Sequence, residues 1–219
     1  MATSAHLIHK YYVSPLINNT IYNKKKELSD DVVKINHMLT FGISSIPCAG
    51  HAEKEFDCGN LDCNYGRLSY ILNFVNNCKT SLDVCIYIIT AKLFGDAIVN
   101  AHNRGVVVRI IADSDMSFSV QSYINFFRMH EIPTRQRLSP YIMHHKFMIA
   151  DNEILISGSM NFTMTGAFCN WENVLITSQP QLVHLFSLSF DGLWDEFGLP
   201  FAEEEATQKL FKRHKSEVE

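Results

Sequence analysis

The segment from residue 141 to residue 176 constrains the fold of this chain more than any other, because it holds two apolar runs joined by a turn-forming pair. The runs cover residues 143–150 and 153–158, and Asp151-Asn152 stands between them. Apolar runs of this length, bounded by Asp and Asn, are typical of neighbouring strands in one sheet. The segment therefore predicts a strand, a turn, a second strand, a short helix and a third strand.

Polar side chains collect on one face of the predicted strand pair. Side chains two positions apart on a strand share a face, which puts His144 beside Lys146, and the second strand leads into Ser159 and Asn161. A lysine and two neutral hydrogen-bond donors can stabilise the charge on phosphoryl oxygens without a metal. A neutral imidazole can attack phosphorus and form a phosphohistidine. The set predicts hydrolysis of a phosphodiester with no cofactor for catalysis.

The spacing of these residues resembles the HKD signature of the phospholipase D superfamily. The sequence reads His-x-Lys-x4-Asp and then Gly-Ser-x-Asn, and a glutamate follows in Asn-Trp-Glu-Asn. Over roughly residues 83–197 the chain is similar to the nuclease branch of that superfamily, in particular to Zucchini-like mitochondrial proteins. The residues that carry the resemblance are His144, Lys146, Asp151, Ser159, Asn161 and Glu172.

The resemblance implies a role for each of these side chains. Lys146 and Asn161 would bind phosphate oxygens, and Ser159 would donate a hydrogen bond to phosphate or to the histidine. Glu172 would hold the imidazole in its reactive tautomer. Asp151, at the end of a strand, is more typical of a residue that fixes loop geometry than of one that touches substrate.

Proton balance in such a reaction requires two imidazoles, a nucleophile and an acid. The chain carries one motif histidine, His144, and the adjacent His145 faces the opposite side with Phe147 and Ile149, as a packing residue would. The single-motif members of the superfamily imply a homodimer that joins two copies of His144 across a two-fold axis. His144 would then be the nucleophile in one subunit and the acid in the other.

The charge balance limits where a nucleic acid can bind. The formal net charge is -4, so a nucleic-acid site must be a local basic patch. Residues 104–146 hold six Lys or Arg against three Asp or Glu. Arg128, Arg135 and Arg137 are the predicted substrate-binding residues of this patch, and an ordinary solvated surface is the alternative.

Three functions remain open from the sequence. The favoured one is an endonuclease that cuts single-stranded RNA, and also DNA, and leaves 5′-phosphate ends because histidine attack does not use the ribose 2′-OH. The resemblance implies that such an enzyme would act in primary piRNA biogenesis. The second is hydrolysis of cardiolipin to phosphatidate, and the third is an inactive scaffold that binds RNA or a partner protein. The resemblance implies a place on the mitochondrial outer membrane facing the cytosol, although no run reaches the roughly 18 apolar residues of a membrane span.

A cysteine-containing loop precedes the predicted helix over residues 64–77. Four soft or borderline ligands in a stretch rich in Gly, Asp and Asn predict a structural zinc site, and ordinary loop thiols with a surface histidine are the alternative. Zucchini-like proteins carry a CCCH site at this place with the histidine last. Here the histidine stands second, so Asp57 or Asp62 can replace it. The candidate ligands are Cys48, His51, Cys58 and Cys63.

The remaining apolar periodicity predicts the frame around the motif. Residues 82–89 and 106–112 read as strands joined by a helix over residues 92–104, which is a β-α-β crossover. Further helices are predicted over residues 64–77, 119–130 and 180–197.

These elements predict a mixed α/β fold with a largely parallel central sheet, helices on both faces and the zinc loop, residues 48–63, as an insertion. The catalytic domain covers residues 46–200. Residues 1–45 form a separate N-terminal segment with a short predicted helix that ends at Met38, and residues 201–219 form a charged tail.

Overall fold

Seven strands form one sheet in this computed structural model, which describes residues 34–43, 60–117, 122–139 and 141–198. In chain order the strands are β1 (Asn36–Phe41), β2 (Ser81–Ile86), β3 (Val107–Ala112), β4 (Thr134–Arg135), β5 (Lys146–Ala150), β6 (Ile154–Gly158) and β7 (Glu172–Thr177). Across the sheet their order is β1-β7-β6-β5-β2-β3-β4.

Helices cover both faces of this sheet. The helices are α1 (Asn64–Asn77), α2 (Lys92–Asn103), α3 (Ser114–Ser117), α4 (Ile124–Met129), α5 (Met164–Phe168) and α6 (Pro180–Glu196). Ile71 of α1 and Phe94 of α2 pack into the core on one face, and Phe190 of α6 packs with Phe147 on the other. The predicted mixed α/β class with helices on both faces is confirmed.

The direction of most strands differs from the expectation. Among the described pairings, β2–β3 and β3–β4 are parallel, whereas the four pairings that link β1, β7, β6, β5 and β2 are antiparallel. The expectation of a largely parallel sheet is therefore wrong. For β5 and β6 the physical reason is connection length, because a strand pair joined by a tight turn can only be antiparallel, while the crossover through α2 makes β2 and β3 parallel.

The tight turn is the Asp151-Asn152 pair that the sequence marks. Both residues adopt left-handed backbone conformations, with φ of 55° and 53°, and the Glu153 amide donates to the Ala150 carbonyl at 3.0 Å. Two positive φ values are the geometry of a turn that matches the twist of a β-hairpin, and Asp and Asn tolerate it best after glycine. This turn fixes the register of β5 against β6.

Asp151 also ties the hairpin to the neighbouring strand. Its carboxylate accepts hydrogen bonds from the amides of Lys79, Thr80 and Ser81, at 2.7 to 3.1 Å, and from the Thr80 hydroxyl at 2.8 Å. Partial burial favours the neutral carboxyl and would raise the pKa of Asp151, but these hydrogen bonds outweigh it and the pKa is lowered from its ordinary value of 3.8.

We expect Asp151→Ala to lower the free energy of unfolding by about 2 kcal/mol near pH 7, since it removes charge-assisted hydrogen bonds and leaves alanine in a left-handed turn. Asp151→Asn, which keeps one acceptor and tolerates the turn, should lose less. A carboxyl with a lowered folded pKa contributes stability above its unfolded pKa and loses it as pH falls through the folded pKa. Denaturant unfolding should therefore show the gap between wild type and Asp151→Asn closing below about pH 4. A gap that is constant with pH would contradict this account.

The first strand replaces a predicted helix. Residues up to Met38 were expected to be helical, but β1 pairs antiparallel with β7, with Asn36 opposite Thr177 and Phe41 opposite Glu172. The reason is burial at a period of two, because Leu39 and Phe41 point into the core while Met38 is exposed. This strand supports the start of β7.

Three of the four candidate zinc ligands, Cys48, His51 and Cys58, lie outside the described residues, as do the charged tail and most of residues 1–45. None of the described helices is long and apolar enough to cross a bilayer.

Candidate active site

Strand direction brings the motif residues to one edge of the sheet. Because β5, β6 and β7 alternate in direction, the start of β5, the end of β6 and the start of β7 lie side by side. Lys146 begins β5, Gly158 ends β6 and Glu172 begins β7. The end of β2 lies at the same edge, with Ile86 opposite Lys146.

His144 and Lys146 are in direct contact at this edge. The Lys146 ammonium lies 3.2 Å from Nδ1 of His144 and donates to the His144 carbonyl at 2.9 Å. An ammonium can only donate, so Nδ1 is the acceptor and the proton of a neutral imidazole is on Nε2. Lys146 is 9% exposed, and burial lowers its pKa while the nearby Glu172 carboxylate opposes that change. The pair is a cation and an imidazole held at one spot with little water around the cation.

Tyr87 completes this pair, and sequence reasoning missed it. The centroid of its ring lies 4.6 Å from the centroid of the His144 ring and 5.2 Å from the Lys146 ammonium nitrogen. The Tyr87 amide donates to the His145 carbonyl at 2.9 Å. The ring face attracts the ammonium and limits where the imidazole can turn. The only feature of the sequence that could have indicated a role for Tyr87 at the site is its position, an aromatic residue directly after a buried strand.

Ser159 and Glu172 bind each other rather than the histidine. The Ser159 hydroxyl donates to the Glu172 carboxylate and accepts from the Asn173 amide at 3.0 Å, and the Asn170 side chain donates to Glu172 at 2.9 Å. Within the part of the chain that the structure describes, no hydrogen bond joins Glu172 to His144. The predicted contact of Ser159 and Glu172 with the imidazole is thus absent from this arrangement, although the Glu172 charge acts on Lys146.

Close approach of two strands makes this arrangement possible. A Cβ at Gly158 would lie 2.0 Å from the carbonyl oxygen of Asn173. Glycine therefore lets β6 approach β7 so that the Ser159 amide reaches the Asn173 carbonyl at 3.0 Å. The Gly-Ser pair of the motif has a structural reason as well as a chemical one.

Asn161 has a buried oxygen with no partner. Its side-chain Oδ1 is buried and accepts no hydrogen bond from the described residues. A buried polar atom without a partner costs about 1–3 kcal/mol. Such an atom in a residue of the motif is typical of a site that is completed by a ligand or a second chain.

Asp113 fixes the segment that carries His144. One carboxylate oxygen accepts from the amides of Asp115 and Met116 at 3.0 and 3.2 Å, which caps the short helix α3. The other oxygen accepts from the Met143 amide at 2.9 Å, a contact across 30 positions that no local pattern indicates. The residue before the histidine is therefore anchored to the end of β3.

The predicted substrate-binding arginines lie away from this pair. Arg135 and Arg137 are on and beside β4, which β3 and β2 separate from β5. The Arg135 guanidinium donates to the Trp194 carbonyl and stacks on the Trp194 ring at 4.2 Å. Arg137 pairs with Glu196 at 2.7 Å, and Arg128 donates to Gln136.

Cys63 is the one candidate zinc ligand in the described residues. It is fully buried at the N-terminus of α1. Among the described residues, no group of three or more His, Cys, Asp or Glu side chains is placed to hold a metal ion. The zinc site stays a prediction, since its other three ligands fall outside this part of the chain.

Comparison with known proteins gives consistent matches. Residues 71–194 match the family model described as cardiolipin synthase, PLD-like domain. A protein from Chlamydomonas reinhardtii named mitochondrial cardiolipin hydrolase is 36% identical over 163 residues, which cover 73% of each chain. Among solved structures, NucT from Helicobacter pylori superposes with a TM-score of 0.60 at 19% identity, covering 74% of this chain and 96% of that one. Nuc from Salmonella typhimurium, a phospholipase D family member, gives 0.59 at 24%, covering 74% and 94%.

Proposed function

We propose a mechanism for this chain, which belongs to the phospholipase D-like family and is a hydrolase of phosphodiester bonds. The reaction proceeds through a phosphohistidine formed on His144. The imidazole attacks phosphorus, the bond from phosphorus to the leaving oxygen breaks, and a second imidazole gives that oxygen a proton. Water then attacks the phosphohistidine, the second imidazole takes a proton from the water, and the phosphorus–nitrogen bond breaks. The imidazole and the acid return to their starting states.

The observation that carries this proposal is the contact between His144 and Lys146 at 3.2 Å. A cation held beside the imidazole places positive charge close to a phosphate attached to that ring, and it would offset part of the negative charge that develops there. A cation supplied by the protein in this way would allow the step to proceed without a metal, as we propose.

The second imidazole is supplied, in our proposal, by His144 of a second copy in a homodimer. In the arrangement described, Nε2 carries the proton, which suits the acid of such a pair, so the nucleophilic copy must adopt the other tautomer. The unpartnered Asn161 oxygen supports a site that is completed by another chain.

Mixed dimers test this model. When wild type and His144→Ala are mixed and allowed to exchange subunits, only dimers with two histidines should be active, so activity should follow the square of the wild-type fraction and fall to about a quarter at equal amounts. Activity that follows the fraction linearly would mean that each subunit has a complete site. His145→Ala, mixed in the same way, serves as the control and should leave activity unaffected.

We propose single-stranded RNA as the substrate, cut to leave 5′-phosphate ends in primary piRNA biogenesis, with DNA also accepted. Direct attack by histidine makes the ribose 2′-OH unnecessary. The rings of Tyr141 and Trp171, 66% and 75% exposed, adjoin the catalytic segments in sequence and are suited to stack bases. Met160 and Phe162, which also lie near the motif in sequence, are buried in the core.

Cardiolipin is the second candidate substrate. The Chlamydomonas relative is named for the hydrolysis of cardiolipin. Two apolar residues of the motif region, Ile142 and Met164, are exposed, as are the rings of Tyr141 and Trp171. The name of that relative also supports association with mitochondria, which we propose on the outer membrane. An inactive scaffold is disfavoured, because the motif residues are retained.

Assays of the purified protein on both substrates, without added metal, decide between them. We expect it to cut end-labelled single-stranded RNA into fragments with 5′-phosphate ends, and to leave cardiolipin vesicles intact. His144→Ala should be inactive on both. Release of phosphatidate with intact RNA would move the assignment to the lipid hydrolase, and 2′,3′-cyclic phosphate products would exclude histidine attack.

The zinc prediction has its own test. Cys63→Ser should lower the bound zinc measured by elemental analysis and also lower the melting temperature, because the binding free energy of structural zinc contributes to folding. Cys169→Ser, at an exposed position after α5, is the matched control and should change neither. A wild-type protein that contains no zinc, or a Cys63→Ser variant that keeps all of it, would contradict the prediction.

A further inference from the structure

A basic cavity lies at the β4 edge of the sheet, apart from the catalytic pair. It encloses about 340 Å³. Its wall combines two guanidinium groups, a hydroxyl, an amide and an apolar side. The residues that matter for this inference are Ser114, Arg128, Arg135, Gln136, Leu138 and Phe197.

The two arginines of this cavity are not neutralised. Among the described residues, Arg109 and Arg137 form ion pairs with carboxylates, whereas Arg128 and Arg135 form none. The partners of Arg128 are the neutral side chains of Asn125 and Gln136, and those of Arg135 are the Trp194 carbonyl and ring. Two cations that share one cavity without a carboxylate repel each other, and an anion in the cavity relieves that repulsion.

The chemistry of the wall points to a phosphate attached to a larger apolar or planar group. Guanidinium groups match phosphate geometry with paired donors, and Ser114 adds a hydroxyl. Leu138, 40% exposed, and Phe197 offer the apolar side, where a base can lie against the ring.

We infer that this cavity holds a phosphate of a single-stranded nucleic acid whose scissile bond lies at His144. This inference rests on the proposed nuclease function. Two strands separate β4 from β5, which is about 14 Å of sheet at the usual strand spacing. A single strand carries phosphates along its whole length and can reach both places. The two phosphates of one cardiolipin headgroup, joined through one glycerol, cannot.

Hydrogen bonds connect the cavity to the catalytic segment. The Gln136 amide donates to the Asp113 carbonyl at 3.2 Å, and the Asp113 carboxylate holds the Met143 amide at 2.9 Å, one residue before His144. The cavity and the catalytic pair therefore have a fixed spacing, as two contact points for one strand require.

Binding of single-stranded RNA of two lengths to Arg128→Gln tests the inference. For a long oligonucleotide we expect roughly three- to tenfold weaker binding than in wild type and a slope of log K against log salt that is smaller by about 0.7, the value for one lost phosphate contact on a single strand. A dinucleotide, too short to span the two places, should not show the change in slope. Lys79→Gln removes the same charge from a position two residues before β2, beyond the end of that strand opposite to the catalytic edge, and is the matched control. Melting temperatures confirm that both variants are folded.

The outcomes separate this inference from the proposed function. If wild type binds and cuts RNA but Arg128→Gln keeps the wild-type salt slope, the cavity is not a strand contact and the nuclease stands. If wild type neither binds nor cuts RNA, the nuclease fails and the inference with it. If Arg128→Gln weakens binding to cardiolipin vesicles and not to RNA, the cavity belongs to a lipid surface and the inference is wrong.

Discussion

His144→Ala should lower kcat/KM for phosphodiester hydrolysis by roughly 10⁴- to 10⁶-fold, the loss that follows removal of a nucleophile. The substitution also removes the proton donor from the other half of the proposed site, so no residual covalent route remains. We expect no large change in stability, because the His144 ring is exposed and its main-chain contacts are kept. The measurement is the steady-state rate of hydrolysis by wild type and variant, after both have been shown to be folded.

His145→Ala is the matched control for this loss. Its ring packs edge-on against Phe147 at 5.7 Å, and burial, followed by the charges of Lys146 and His144, lowers its pKa. His145 as a whole is exposed rather than buried, but its ring contacts Phe147 of the core under α6, so most activity should remain. A His145 variant as inactive as the His144 variant would show that the assignment of the nucleophile is wrong.

Lys146→Gln should lower the rate by roughly 10²- to 10³-fold, the usual loss when one preorganised charge-stabilising donor is removed. Glutamine keeps a hydrogen-bond donor on a shorter side chain but loses the positive charge beside Nδ1 of His144. Rate constants under single-turnover conditions measure this effect without contributions from product release.

The pH dependence of activity separates the contribution of the positive charge of Lys146 from that of the shape of its side chain. Burial lowers the pKa of Lys146 below that of an ordinary lysine, so its ammonium is present below that pKa and lost as pH rises through it. Activity should therefore decline on the alkaline side earlier than an ordinary lysine would allow. Lys146→Arg keeps its charge throughout, so whatever activity remains should lack this decline. A decline that persists in Lys146→Arg would mean that another group titrates.

Local patterns predicted the elements that depend on neighbours in sequence. The two-residue period of a strand placed His144 and Lys146 on one face, and the structure brings them into contact. The Asp151-Asn152 turn followed from residue type alone, because these side chains favour left-handed backbone. The bounds of α1 follow from its apolar spacing in the same way.

Contacts between distant segments could not be predicted in this way. Tyr87 reaches His144 only because β2 pairs with β5. Asp113 reaches Met143 only because β3 pairs with the other edge of β2 in the same sheet. Arg135 was assigned to substrate binding by its charge, and no local pattern indicated that Trp194 of α6 would stack on its guanidinium group. Strand β1 was missed because only two of its residues are buried, a signal too short to separate from a helix.

The stereochemistry at phosphorus tests the covalent intermediate most directly. A single-stranded oligonucleotide with one phosphorothioate of known configuration is cut in ¹⁸O-labelled water, and the configuration of the product is determined. Two displacements, the first by His144 and the second by water, each invert phosphorus, so the account predicts net retention. Net inversion would mean that water attacks the phosphodiester directly, and it would contradict the phosphohistidine.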